Sequence, residues 1–127
     1  MTDTGVGASI PRKEDDRFLC GRGQFVGDIK LAGMLDAAFL RSPVAHGRLI
    51  SVQVPEHLHN LVFTSKDLVN VKPVRAVSGL PGFKASEQPV LAENKLRWVG
   101  ELLAVCLGET RATAEDAADE VFAEIED

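Results

Sequence analysis

Apolar and polar residues alternate at several points along this chain, and the alternation predicts β-strands. The clearest pattern lies in residues 48–54, where Ile50, Val52 and Val54 recur with a period of two. Short apolar runs bounded by glycine, proline or polar residues predict further strands. These runs are residues 34–40, 61–64, 96–99 and 102–107.

Glycine and proline interrupt the pattern at two places. In residues 21–28, glycines alternate with Phe25 and Val26, which predicts a short, bulged strand between tight bends. Residues 71–88 hold two prolines and two glycines and are predicted to form a long loop. Just before that loop, Ser65 is expected to cap a single helical turn.

One helix is predicted near the end of the chain. Thr113 can cap its free N–H groups, and Asp116 follows three positions later, as in a capping box. The apolar face of this helix has the spacing i, i+3, i+4, i+7 and i+8 and comprises Ala114, Ala117, Ala118, Val121 and Phe122. Residues 121–126 also alternate, so a final strand is equally compatible with the pattern. About six strands with one or two helices, not in strict alternation, predict an α+β fold.

The connection between the strands at residues 34–40 and 48–54 is short, so the two strands are predicted to be neighbours. Arg41 would then lie at the end of the sheet. There its guanidinium group can bind turn carbonyls or a carboxylate, and Asp28 and Asp36 are the candidate carboxylates. We therefore expect Arg41 and Asp28 to have structural roles.

The composition is that of one globular domain. The 127 residues are 45% hydrophobic and 26% charged, which predicts a single domain over residues 1–127 with residues 1–10 as a flexible lead-in. A net charge of −5 argues against a nucleic-acid partner. No apolar run approaches the roughly 18 residues of a membrane span, and the N-terminus lacks a signal-peptide pattern. We therefore expect a cytoplasmic location and no membrane partner.

No set of residues suitable for catalysis is evident in the sequence. Cys20 and Cys106 are expected as buried free thiols, and an iron–sulfur cluster would need about four thiolates. The glycines of residues 21–27 lack the spacing of a dinucleotide-binding fingerprint. His57 and His59 have no third ligand at a suitable spacing for zinc. The sequence thus predicts no catalytic, cofactor-binding or metal-binding residue.

The loop at residues 71–88 is the candidate for contact with a partner, since long loops in compact domains often carry function. Phe83, Leu80 and Lys84 are its predicted docking residues, with Phe83 as the anchor. A mobile surface loop without a partner is the alternative.

Five segments, in order, resemble one family of enzymes. Residues 17–29 are similar to the opening signature of the molybdenum-carrying large subunit of the xanthine dehydrogenase, aldehyde oxidase and carbon monoxide dehydrogenase family. Residues 41–49 resemble its Arg-Ser-Pro-x-Ala-His segment. Residues 89–92, 99–105 and 114–118 resemble later parts of the same region. The resemblance covers the chain from about residue 10 onward.

This resemblance implies an α/β-hammerhead fold, the N-terminal module of the large subunit, with residues 121–126 as its closing strand. The implied partners are the molybdopterin-binding region of that subunit and the iron–sulfur and flavin subunits. Molybdopterin and iron–sulfur clusters are expected on those partners and none in this chain. The family's glycine-rich cofactor motif and catalytic glutamate lie far downstream, with no counterpart here. The implied function is structural and partner-docking within an oxidoreductase, and the isolated chain is expected to be inactive. A stand-alone binding or scaffold module is the alternative.

Overall fold

The computed structural model describes residues 5–126. The chain divides after Gly33 into an N-terminal unit and a larger unit that begins at Met34. The predicted lead-in at residues 1–10 lies partly outside the described residues, and residues 5–10 form neither helix nor strand. The single domain over residues 1–127 stays a prediction.

The N-terminal unit contains helix α1, Asp15–Leu19, and a short 3-10 helix, Val26–Asp28. The strand predicted within residues 21–28 is wrong, because the Asp28 carboxylate accepts a hydrogen bond from the Phe25 N–H at 2.9 Å and tightens a turn there. The expectation for Cys20 is also wrong. This thiol is exposed at the end of α1, and the helix buries none of its residues.

The larger unit holds eight strands and helix α2. In chain order its elements are β1 Asp36–Arg41, β2 Gly47–Gln53, β3 Val62–Thr64, β4 Val74–Arg75, β5 Glu87–Gln88, β6 Lys95–Leu96, β7 Leu102–Gly108, α2 Arg111–Glu120 and β8 Phe122–Glu126. The strands form an upper sheet of order β1-β7-β3, a lower sheet of order β6-β2-β8, and a two-stranded ribbon of β4 and β5. All of these pairs are antiparallel. The predicted α+β fold is confirmed, as is the strand at residues 121–126.

Strands β1 and β2 are not neighbours, so that prediction is wrong. The chain after β1 is held against the segment that precedes β7. The Ser42 N–H donates to the Glu101 carbonyl at 2.9 Å, and the Gly100 N–H donates to the Ser42 carbonyl at 2.8 Å. This anchoring separates the two strands, and β2 pairs with β6 and β8 in the lower sheet.

A β-bulge in β2 changes which residues face the core. The pairing with β8 shifts between Leu49 and Ser51, which leaves Ile50 as the extra residue. As a result Leu49 is buried, Ile50 is exposed and Val52 again faces inward. The period-two pattern of Ile50, Val52 and Val54 therefore does not form one inward face, because Ile50 is exposed.

The interior consists of two apolar clusters. The larger lies between the upper sheet and α2 and comprises Leu58, Val62, Ala104, Cys106, Ala117 and Val121. The smaller is associated with the lower sheet and comprises Leu49, Ala92, Leu96 and Leu103. Burial raises the pKa of the Cys106 thiol above its usual value, since the apolar surroundings disfavour the thiolate.

Both predicted helix caps lie elsewhere than expected. Helix α2 begins one turn earlier, with Thr110 as its cap. The Thr113 N–H donates to the Thr110 hydroxyl at 3.2 Å, and the Thr110 N–H donates to the Thr113 hydroxyl at 3.1 Å. After β3, the chain forms a short 3-10 helix, Ser65–Asp67, and its cap is Thr64 in place of Ser65. The Thr64 N–H and hydroxyl both donate to Asp67, which lowers the pKa of that carboxyl group.

We expect Gly108→Ala to destabilise the larger unit by about 1–3 kcal/mol, the usual cost of forcing an extra methyl group into a packed site. A Cβ at Gly108 would stand 2.5 Å from the backbone nitrogen of Ala114, so α2 would have to move away from β7. Gly79→Ala is the control, because a Cβ there meets nothing within 4 Å. Denaturant unfolding of the three proteins measures the difference. Equal midpoints for both variants would contradict the close packing of α2.

Candidate functional site

The segment predicted as a long loop is a ribbon, which we call the ribbon arm (residues 74–88). Strands β4 and β5 pair through Val74 with Gln88 and Arg75 with Glu87. The Arg75 guanidinium and the Glu87 carboxylate are 3.6 Å apart. The loop prediction is therefore wrong at its ends, where four residues form strands. Every residue of the ribbon arm is exposed.

A tight turn organises the tip of the ribbon arm. The Phe83 N–H donates to the Leu80 carbonyl at 3.2 Å, and Gly82 has φ of +78°. Proline at the second position and a left-handed glycine at the third are typical of a type II turn. Leu80 and Phe83 thus stand at the two ends of one turn, with their Cα atoms within about 7 Å. The turn brings together the three predicted docking residues, because Lys84 follows directly.

The apolar side chains of this turn are open to solvent. Leu80 is 72% exposed and Phe83 is 43% exposed. A cavity of about 290 Å³ lies at the base of the ribbon arm, and Leu68, Pro73, Glu87, Leu91 and Arg97 are among its lining residues. The ribbon arm therefore has an exposed apolar tip, and apolar and charged residues line the cavity at its base.

Arg41 lies at the end of β1 and binds a turn carbonyl. Its Nη1 donates to the Gly100 carbonyl at 3.0 Å, and its guanidinium group lies 5.6 Å from the centre of the Phe39 ring. Among the described residues it forms no salt bridge with Asp36 or any other carboxylate. Asp28 belongs to the N-terminal unit, where it accepts the hydrogen bond from Phe25.

The sequence analysis missed the buried polar residues beside Arg41. Ser42 and Glu101 are both buried, and their backbone groups join the end of β1 to the start of β7. The Glu101 carboxylate accepts from the Arg97 backbone N–H at 2.6 Å and from Arg97 Nη1 at 3.2 Å. A buried carboxylate needs such donors, since burying an unpaired charge is costly. The only signal in the sequence was the bend at Gly100, which does not reveal burial.

The histidines bind separate partners. His57 Nε2 is 3.1 Å from the Glu120 carboxylate, and His59 Nε2 is 3.1 Å from the Val54 carbonyl.

Residues 5–126 contain no group of three potential metal ligands, and no buried side-chain nitrogen or oxygen there lacks a hydrogen-bond partner. No helix in the same range is long and apolar enough to cross a bilayer.

Comparison with known proteins identifies relatives over nearly the whole chain. The family profile described as aldehyde oxidase and xanthine dehydrogenase, a/b hammerhead domain, matches residues 20–127. The large subunit of nicotine 6-hydroxylase from Paenarthrobacter nicotinovorans is 37% identical over 99% of this chain. The large chain of carbon monoxide dehydrogenase from Hydrogenophaga pseudoflava is 33% identical over 91% of it.

A solved structure agrees with this match. Quinoline 2-oxidoreductase from Pseudomonas putida 86 superposes with a TM-score of 0.82 and 39% identity over 93% of this chain. The chain spans only a small part of these relatives. It covers 16% of the nicotine 6-hydroxylase subunit, 14% of the carbon monoxide dehydrogenase chain and 16% of the quinoline 2-oxidoreductase chain.

We expect Arg41→Lys to lower the free energy of unfolding by about 1 kcal/mol, because lysine loses the planar guanidinium that contacts both Gly100 and the Phe39 ring. Arg75→Lys is the matched control, since its exposed ion pair contributes little, and we expect a change below about 0.5 kcal/mol. Denaturant melts of both variants decide the matter. Equal effects would mean that Arg41 acts as an ordinary solvated side chain.

Proposed function

The chain belongs to the aldehyde oxidase and xanthine dehydrogenase a/b hammerhead family, and on that premise we propose that it is the N-terminal hammerhead module of a molybdenum hydroxylase large subunit. The observation that supports this proposal most directly is that nearly the whole chain matches a segment amounting to 14–16% of the length of two large-subunit relatives. Those relatives are named as subunits of a hydroxylase and a dehydrogenase, and a solved relative is named a Cu,Mo-CO dehydrogenase, so the chain is of an oxidoreductase family. The expected family resemblance is confirmed.

The module has a structural and docking role in this proposal, and the chemistry resides elsewhere. Residues 5–126 offer no ligand set, so we assign molybdopterin to the remainder of the large subunit and iron–sulfur and flavin groups to partner subunits. The parent reaction is a water-derived hydroxylation. Two relatives are named for nicotine and quinoline, which supports an aromatic N-heterocycle as the substrate class over an aldehyde. We place the assembly in the cytoplasm.

The ribbon arm is the proposed docking element. Its type II turn holds Leu80 and Phe83 side by side on an exposed tip, and a large aromatic side chain contributes most to affinity when a partner buries it. Lys84 adds a positive charge at the rim of the same turn, where charge affects association rate and specificity more than affinity.

We expect the purified chain to contain no stoichiometric molybdenum, iron or flavin and to oxidise neither quinoline nor an aldehyde. The reason is that it lacks thiolate sets and a reactive centre, while the cofactor carries the hard chemistry in such enzymes. Elemental analysis and a dye-reduction assay measure both properties. Stoichiometric metal together with turnover would refute the proposed role.

We expect Phe83→Ala to weaken binding of the chain to the cofactor-bearing remainder of the large subunit, supplied as a second polypeptide, by about tenfold or more. Its melting temperature should stay nearly unchanged, because Phe83 lies outside both apolar clusters. Val69→Ala is the control, since Val69 is an exposed apolar residue outside the ribbon arm. Calorimetric titration gives the affinities. Equal binding by Phe83→Ala and wild type would exclude the arm as a docking element.

A further inference from the structure

The upper sheet has one face that points away from α2. On this face the side chains of β1 are exposed, whereas those of β3 and β7 are half-buried. Its inner face carries Leu40, Val62, Ala104 and Cys106, which belong to or pack against the larger cluster under α2. Side chains alternate between the two faces of a strand, so the residues between them point the other way. We call this second surface the outer face, and it comprises Ala37, Phe39, Phe63, Val105 and Leu107.

Strand pairing places these side chains in contiguous rows. Phe39 lies opposite Val105, and Val105 lies opposite Phe63, so the first row crosses all three strands. Ala37 lies opposite Leu107 in the next row. Directly opposed side chains on one face have Cβ atoms about 4.5–5.5 Å apart, which makes the five residues one apolar patch.

The lower sheet shows how this chain patterns a strand surface for water. Its outward residues include polar cross-strand pairs beside the exposed side chains of Ile50 and Phe122. Arg48 Nε donates to the Glu126 carboxylate at 2.7 Å, and the Ser51 hydroxyl donates to Glu124 at 3.0 Å. An antiparallel sheet with one solvated face is expected to be polar on that face. The outer face of the upper sheet departs from this, because its first polar residue along β1 is Arg41 at the end of the strand.

We propose that the outer face is a docking surface for the cofactor-bearing remainder of the large subunit, separate from the ribbon arm. This inference rests on the proposed function. Relatives continue for about six times the length of this chain, since it covers only 14–16% of them. A long remainder that shares one polypeptide with the module is the occupant best suited to cover an apolar sheet face permanently.

The border of the patch specifies part of the partner's chemistry. The Arg41 guanidinium lies over the Phe39 ring and, among the described residues, uses one of its five N–H donors, toward Gly100. Covering Phe39 removes water from the remaining donors, so the docked surface must offer acceptors there. We therefore expect an apolar partner surface with a carboxylate or carbonyl group opposite Arg41.

Thiol labelling tests the proposal in a Cys20→Ser background, where the remaining native thiol, Cys106, is buried. Phe39→Cys reports on the outer face, with Phe39 40% exposed in the structure. Ile50→Cys is the matched control on the lower sheet, with Ile50 45% exposed. Alkylation rates are measured for the chain alone and in complex with the remainder of the large subunit.

We expect complex formation to slow alkylation of Phe39→Cys at least tenfold and that of Ile50→Cys less than twofold. Phe63→Cys, on another strand of the same patch, should behave as Phe39→Cys does, so a folding defect in one variant does not decide the result. An equal rate for Phe39→Cys in the free chain and in a complex that does form would overturn the docking face and leave the proposed function intact. Failure of the wild-type chain to bind the remainder would overturn both.

Self-association is the competing outcome. If Phe39→Cys and Phe63→Cys become protected in the chain alone as its concentration rises, and sedimentation shows a dimer, the occupant is a second copy and the proposal is wrong. Arg41→Met adds a readout of the border chemistry. It should weaken binding to the remainder severalfold if an acceptor lies opposite, and unchanged binding would overturn the expected acceptor.

Discussion

Strand β7 is the constraint on which the rest of the larger unit depends. It pairs with β1 on one side and β3 on the other, and helix α2 packs across it. A register shift opposite Leu40 and Arg41 allows consecutive residues of β7 to enter different clusters, Leu103 in the smaller and Ala104 in the larger. At its far end, Gly108 permits the close approach of α2. One strand thus couples both clusters and the helix.

The buried corner before β7 determines how the sheets are arranged. The Ser42 N–H donates to the Glu101 carbonyl, and the Gly100 N–H donates to the Ser42 carbonyl. The backbone N–H of Arg97 in turn donates to the Glu101 carboxylate. Because the chain is anchored at this point, β2 leaves β1 and builds a separate sheet. Separation of the sheets gives each its own outer face. The face of the lower sheet carries polar pairs beside Ile50 and Phe122, and that of the upper sheet is apolar up to Arg41.

The described residues contain no group of three potential metal ligands. Histidine rings bind a carboxylate and a carbonyl, and the buried carboxylate is fully occupied by Arg97. Exposed apolar side chains include Leu80 and Phe83 at the type II turn of the ribbon arm and Phe39 on the outer face of the upper sheet.

Local sequence determined the longer strands and the helix of the larger unit, because periodicity and turn residues act within a few positions of one another, but it missed the short strands β4 and β5. It indicated the strands near residues 34–40, 61–64 and 102–107, the helix before residue 121, and, through motif resemblance, the family. The cap at Thr110 is a local contact with Thr113, and the sequence pattern alone did not distinguish between the two threonines. Tertiary structure decided the strand partners and the bulge that exposes Ile50. These two features depend on hydrogen bonds between residues far apart in the chain, such as Ser42 with Glu101, and no local pattern encodes which distant segment will supply the partner.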